Sequence, residues 1–326
     1  MRVCVFGAGA IGGHLAMRFV RGGAEVSVVA RGPHLAAIRD DGLTVQAVDG
    51  RFNVRVHASD DPATLGPQNA VVVTVKAPSL PEVAARIAPL LDADTGVAFV
   101  MNGIPWWYFH ALKGKLEGRR LPRLDPDDRL WRAVGPERVI GGVVYAASAV
   151  IAPGVVDVEQ PKSRVVFGEP DGSLSRRAEA LAALLRAGGI ASETTPDIRT
   201  EIWNKLINNL AGGTLAVLAG AAPRHVYEEE PCAAAGKRVM EEAAAIAEAL
   251  GAKPDHGFDR RIGGQKSMDH KPSILQDLEL GRPMEIDGLF SAPLALAQMA
   301  GVAAPTLELL VALAKVRARG AGLYGG

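Results

Sequence analysis

Short Val/Ile-rich runs alternate with Ala/Leu segments up to about Thr195, a glycine-rich turn directly follows the first run, and only helical spacing appears from Asp197 onward. Together these predict an α/β protein, with an N-terminal Rossmann-type dinucleotide-binding domain followed by an all-helical C-terminal domain. The expected spans are 1–195 and 196–326, with the boundary near Pro196.

The clearest strands are RVCVF, EVSVV, AVVVTV and GVAFVM. The last two are apolar almost throughout, as in parallel strands covered on both faces. Pro81 to Leu91 reads as a helix between them. A second β-rich patch follows, RVIGGVVYAASAV, GVVDVE and RVVFG, and its Pro153-Gly154 and Asp171-Gly172 turns suggest antiparallel additions to the same sheet. Ser175 then stands as the N-cap of a helix to Arg186, which Gly188-Gly189 would stop. Beyond the boundary, Asp197–Leu210, Cys232–Leu250, Ser273–Leu280, Leu289–Ala300 and Pro305–Arg317 carry apolar residues three and four apart. Trp106 to Arg138 fits neither pattern. It holds three of the four tryptophans together with Pro122, Pro126 and Pro136, and reads as an insertion or long connection.

Composition narrows the function. The 326 residues are 48% hydrophobic, enough to bury two cores of ordinary size. Lys+Arg and Asp+Glu balance at 36 each, so no net field favours nucleic acid or an anionic membrane, and a small molecule is the expected partner. Cys4 lies inside a strand run and Cys232 is remote from it, a usage that fits a reduced cytoplasmic protein. No apolar stretch is long enough for a membrane span, and the seven histidines lack metal-ligand spacing, so neither membrane nor metal is expected. A homodimer is compatible with the sequence.

Gly7-Ala8-Gly9-Ala10-Ile11-Gly12 directly follows the first strand and opens a helix-like run, the context in which this motif binds a dinucleotide. Gly7 would permit the tight turn, Gly9 the approach of backbone to pyrophosphate, and Gly12 close packing of helix on strand, while Ala10 and Ile11 open the helix whose N–H groups face phosphate. An NAD enzyme usually ends its second strand in a carboxylate that accepts from the ribose hydroxyls, but here stands Arg31. A guanidinium suits a 2′-phosphate, so NADP(H) is the expected cofactor, unless Arg31 is merely solvated or stacks on adenine. Lys76 closes another strand at the end where ligands bind in such sheets, and it reads equally as ligand contact or exposed lysine. Asn102 follows the next strand in Met101-Asn102-Gly103, as a cofactor or substrate contact or as part of a common turn. Lys205 and Asn209 share one face of a helix otherwise rich in Ile, Leu and Ala.

In order and spacing, GAGAIG, VVARGPHL, TVKA, MNG, WNKLINN and SILQD followed by MEID make the chain resemble the 2-dehydropantoate 2-reductases, or ketopantoate reductases, over nearly its full length. The resemblance implies NADPH-dependent reduction of ketopantoate to pantoate on the way to pantothenate and coenzyme A, with substrate in a cleft between the two domains. It also implies Lys205 as the catalytic lysine, Glu285 as the acidic residue opposite it, Asn209 and Ser273 as substrate contacts, and Asn102 as the strand-end asparagine. An ammonium can stabilise the developing alkoxide and then supply its proton, which agrees with those roles. Lys205 and Glu285 could instead be a simple domain-bridging ion pair.

Three departures bear on the substrate. Where the family commonly places a second asparagine the chain has Gly213, Met284 replaces a hydroxyl residue before Glu285, and Phe290-Ser291 replaces an Asn-Gly. Fewer polar partners leave a different 2-oxo acid as an alternative, and a non-catalytic NADP(H) sensor as another. Trp106, Trp107, Tyr108 and Phe109 follow Asn102 closely enough to cover the cleft, or else they pack internally.

Overall fold

The computed structural model describes residues 1–159 and 162–325. The chain divides into two compact units: Met1–Met101 with Pro105–Ile198, and Arg199–Gly326 with Asn102–Ile104. The second unit thus takes in three residues that follow a strand of the first, a grouping that chain order does not reveal.

The first unit contains, in order, β1 (Arg2–Phe6), α1 (Ala10–Arg21), β2 (Glu25–Val29), α2 (Gly32–Asp41), β3 (Leu43–Ala47), β4 (Gly50–Val54), β5 (His57–Ser59), β6 (Ala70–Val73), α3 (Leu80–Arg86) and β7 (Gly96–Val100). After α4 (Arg129–Val134) come β8 (Val139–Tyr145), β9 (Ser148–Ala152), β10 (Val155–Val158), β11 (Arg164–Gly168), α5 (Arg176–Ala187) and β12 (Ala191–Thr194). Eight strands form the main sheet in the order β12-β11-β8-β7-β6-β1-β2-β5. All its neighbours pair in parallel except β8 with β11. The order reverses between β1 and β6, which makes their carboxyl ends the switch point where ligands bind in open α/β sheets.

The second β patch departs from expectation. β8 joins the main sheet in parallel and β11 follows antiparallel, but β9 and β10 pair with β3 and β4 in a separate sheet ordered β4-β3-β10-β9. The reason lies in α1. Its Leu15, Ala16, Met17 and Phe19 are all fully buried, too many for one stripe, so a second surface must cover the helix. Leu43, Val45, Val156 and Val158 of the second sheet share its core cluster. A two-pronged ion pair from Arg18 to Asp49 in the β3–β4 turn, at 2.6 and 2.7 Å, fastens the two together.

The aromatic quartet packs inside the first unit rather than acting as a cover. Trp106, Trp107, Tyr108 and Phe109 are at most 2% exposed. Trp106 meets Phe99 and Trp131 edge-on, at 5.5 and 5.8 Å between centroids. Gly141 of β8 leaves the room that Trp107 fills, since a Cβ there would lie 2.8 Å from the indole.

The second unit contains α6 (Ile198–Ala219), α7 (Pro223–Tyr227), α8 (Glu230–Ala249), α9 (Phe258–Ser267), α10 (Ser273–Glu279), α11 (Ala292–Ala300) and α12 (Pro305–Gly320). α6 runs nine residues past its expected end at Leu210, straight through Gly212-Gly213. Packing overrides the two poor helix formers there: a Cβ at Gly212 would stand 2.4 Å from the Gln265 side chain of α9, so glycine leaves the room in which that glutamine lies. A π-helical turn, Asp287–Ser291, precedes α11 where the sequence suggests regular helix, and Tyr324 donates to Asp287 at 2.8 Å. No helix among the described residues is long and apolar enough to cross a membrane.

Candidate active site

The first unit holds a cleft of about 310 Å³ at the switch point, lined by Phe6–Gly9 after β1, Val29–Arg31 after β2, His34, and Val75, Ser79 and Glu82 beyond β6. Gly7 has φ +103°, outside the range comfortable for other residues, and a Cβ on it would strike Val75 at 2.6 Å. Gly12 stands so close to the turn that its Cβ would lie 2.0 Å from the Gly7 carbonyl oxygen. A Cβ on Gly9, by contrast, would meet nothing within 4 Å. Gly7 and Gly12 thus shape the turn, while Gly9 presents bare backbone beside the cleft, and Ala10 and Ile11 form the first turn of α1. A cradle of this shape, with N–H groups at a helix start, fits a pyrophosphate.

Arg31 lines the cleft and donates to Glu82 at 2.6 Å; Glu82 also accepts from Arg86 at 3.1 Å. A 2′-phosphate bound there would compete with Glu82 for the guanidinium. Lys76 does not close its strand: β6 ends at Val73, and Lys76 stands exposed three residues later, outside the cleft lining. Three contributors escape sequence reasoning. His34 Nδ1 accepts from Gly154 at 2.9 Å, which leaves Nε2–H to donate to the Ala8 carbonyl at 2.7 Å and fixes the tautomer. Thr74 donates to the Gly7 carbonyl at 2.7 Å, and Glu82 is the third. Each acts across 26 residues or more, where local spacing carries no signal.

The second unit brings together Lys205, Asn102 and Glu285. Lys205 projects from α6 and donates to Asn102 Oδ1 at 2.6 Å. Burial brings its ammonium down from 10.5 to about 8, while Glu285, only 7% exposed, pulls in the opposite direction. Asn102 is held by the backbone around it. Ile104 N–H donates to the Gly288 carbonyl at 3.0 Å, and Gly103, with φ +84°, lies where a Cβ would be 2.4 Å from that oxygen. The π-helical turn that begins two residues after Glu285 therefore fastens the asparagine loop. Asn209 stands one turn beyond Lys205 on α6, and Ser273, exposed, opens α10. Position 213 is apolar in its surroundings: a Cβ there would lie 3.4 Å from Ile274 and 3.6 Å from Phe290. Met284 is buried. No group of three His, Cys, Asp or Glu side chains among the described residues is placed to hold a metal ion.

Comparison with known proteins gives the context. Residues 3–172 match the family model described as ketopantoate reductase PanE/ApbA, and residues 197–318 match its C-terminal counterpart. A 2-dehydropantoate 2-reductase of Mesorhizobium japonicum is 42% identical, across 99% of this chain and all of that one. Among solved structures, the 2-dehydropantoate 2-reductase of Geobacter metallireducens superposes with a TM-score of 0.85 at 28% identity, covering 97% of this chain and 99% of that one. The PanE/ApbA family ketopantoate reductase of Ralstonia eutropha gives 0.83 at 27% identity, covering 99% and 100%.

Fold and relatives define the class first, an oxidoreductase acting on a ketone or its CH–OH counterpart through a Rossmann-type nucleotide domain. More narrowly, the chain belongs to the ketopantoate reductase family, whose members reduce ketopantoate to pantoate with NADPH.

Proposed function

We propose that this protein reduces ketopantoate to pantoate with NADPH, using Lys205 as proton donor. The observation that carries the reading is the half-buried lysine, brought to about 8, bonded to Asn102 and in the field of Glu285. The first unit would hold NADPH, whose chemistry would be to supply a hydride to the carbonyl carbon. Gly7, Gly9 and Gly12 would shape the seat of its pyrophosphate, Ala10 and Ile11 would start the helix that faces it, and Arg31 would take its 2′-phosphate in place of Glu82.

Lys205 meets the charge that develops on the carbonyl oxygen. Its ammonium has three N–H bonds; Asn102 accepts one and so sets the direction of the others. The same ammonium then passes a proton to the oxygen, which is easier for a group near 8 than for one near 10.5. Glu285 keeps Lys205 charged against the desolvation that favours the neutral amine. In this reading Asn209, one turn beyond Lys205, and Ser273, at the start of α10, take the substrate's hydroxyl and carboxylate groups. The two free thiols, one buried and one half-buried, support a reducing cytoplasmic compartment.

The apolar surroundings of Gly213 and the buried Met284 favour a second reading, in which the substrate is a 2-oxo acid with an apolar side chain and no hydroxyl. Steady-state rates with NADPH across a panel of 2-oxo acids test both. Fast turnover of ketopantoate supports the first reading, and turnover of the unhydroxylated acids alone replaces it with the second. Tight NADPH binding with no turnover of any acid would refute both in favour of a sensor.

A further inference from the structure

The residues that follow α12 turn back onto the stretch that carries Glu285. Leu323 N–H donates to the Ala318 carbonyl at 2.9 Å, which folds the chain against the helix it has just left, and Leu323 and Tyr324 are half-buried there. From this tail two bonds reach the chain on either side of Glu285. Met284 N–H donates to the Leu323 carbonyl at 3.3 Å, and the Tyr324 hydroxyl donates to Asp287 Oδ1 at 2.8 Å. Arg319 lies over the tyrosine ring, its guanidinium carbon 5.7 Å from the centroid. A hydroxyl donating to a carboxylate makes a stronger bond than one between neutral groups.

Asp287 stands where such a bond has consequences. It opens the π-helical turn, a rare geometry that recurs at functional sites. Within that turn Leu289 N–H donates to the Glu285 carbonyl at 3.1 Å, and the Gly288 carbonyl accepts from Ile104 at 3.0 Å. The backbone of Glu285 and the loop of Asn102 are therefore tied to one turn, and that turn is tied to the tail. Lys205 is faced by both, through its 2.6 Å bond to Asn102 and through the charge of Glu285.

We propose that Tyr324 is a positioning residue for ketone reduction, acting through Asp287 to hold Glu285 and Asn102 beside Lys205. The inference rests on the reading of Lys205 as proton donor, and it requires no contact between Tyr324 and substrate. Tyr324 lies 37 residues beyond Asp287, so no local pattern announces the link.

The titration of Lys205 tests this, read as the pH dependence of its acetylation by acetic anhydride and quantified on the peptide by mass spectrometry. That readout follows the amine whether or not it donates a proton to substrate. Tyr324→Phe keeps the ring and removes the bond. If the carboxylate then moves from about 4 to about 6 Å from the ammonium, a third of their attraction is lost, and the titration should move toward acid by about 0.3 pH units. Tyr324→Leu, which also removes the ring, should do at least as much. In both, kcat for ketopantoate should fall about three- to tenfold, while NADPH affinity by fluorescence titration stays unchanged because the cofactor seat lies in the first unit. Added to Glu285→Gln, Tyr324→Phe should move the titration no further. A titration unmoved in both tyrosine variants overturns the positioning role, even where Tm falls, and so does an equal shift with Glu285→Gln already present. A Lys205→Met chain that keeps the wild-type pH dependence of kcat/KM refutes the proton-donor reading and the inference with it. That failure is distinguishable, because the labelling shift in Tyr324→Phe would still be seen.

Discussion

The proposed proton-donor role of Lys205 predicts how the rate depends on pH. Burial lowers its affinity for protons because water no longer solvates the ammonium, and Glu285 partly restores it. With a value of about 8, the charged form makes up about nine in ten molecules at pH 7 and about one in ten at pH 9. Reduction needs the charged form, so kcat/KM in the reductive direction should be flat below neutrality and fall tenfold per pH unit above about 8. Glu285→Gln keeps the shape of the side chain but removes its charge. The remaining influence is desolvation, so the descending limb should move toward acid, by on the order of one pH unit. At pH 8 that shift alone lowers the rate roughly fivefold. Initial rates of NADPH oxidation at subsaturating ketopantoate, from pH 6 to 10 in a constant-ionic-strength buffer, report the limb directly. A limb that stays in place or moves toward alkali in Glu285→Gln refutes the argument, as does an unchanged limb in Lys205→Met.

Other outcomes follow from the two units. Arg31→Ala should weaken NADPH about tenfold while leaving NADH nearly unaffected, as measured by fluorescence titration; equal losses would remove the phosphate role. Glu82→Gln frees the guanidinium from its 2.6 Å partner, and NADPH should bind two- to fivefold more tightly with no gain for NADH. Gly12→Ala drives a methyl group into the Gly7 carbonyl, a clash expected to cost about 1–3 kcal/mol, visible as a lower Tm, together with weaker cofactor binding. The Cβ of Gly213→Asn would meet Ile274 and Phe290 at ordinary contact distance, and an unchanged Tm is the check that the amide beyond it is accommodated. By adding a polar partner it should raise kcat/KM for ketopantoate about tenfold relative to acids lacking the hydroxyl; an unchanged ratio would show that position 213 does not touch the substrate.

Much of this molecule is legible in its amino-acid sequence. The parallel core strands declare themselves because residues buried on both faces must be apolar throughout. The cofactor turn does so because Gly7 and Gly12 occupy places where a Cβ would collide. The short β4 and β12 give no clear signal because they are half-exposed and mixed in composition, and β3 and β5, though largely buried, are only five and three residues long and interrupted by polar side chains. α9, FDRRIGGQKS, is equally hard to read, since its only buried residue is Gln265. Local pattern reports burial, and where burial is slight the pattern is faint.

From its sequence alone the protein is committed to a Rossmann-type nucleotide domain ahead of a helical one, to an arginine in place of the usual ribose-binding acid, and to a lysine helix with an acid downstream. Glycine spacing and hydrophobic period are properties of neighbouring residues, and neighbours in sequence suffice to read them. Tertiary structure alone decides that β9 and β10 leave the main sheet to cover α1, that the tryptophan segment fills a core, and that Glu82 holds Arg31 from 51 residues away. It also places Asn102 on Lys205 across 103 residues and brings that ammonium down to about 8. Proton affinity depends on which groups surround a charge and on how much water they exclude, and those neighbours meet only when the chain has folded.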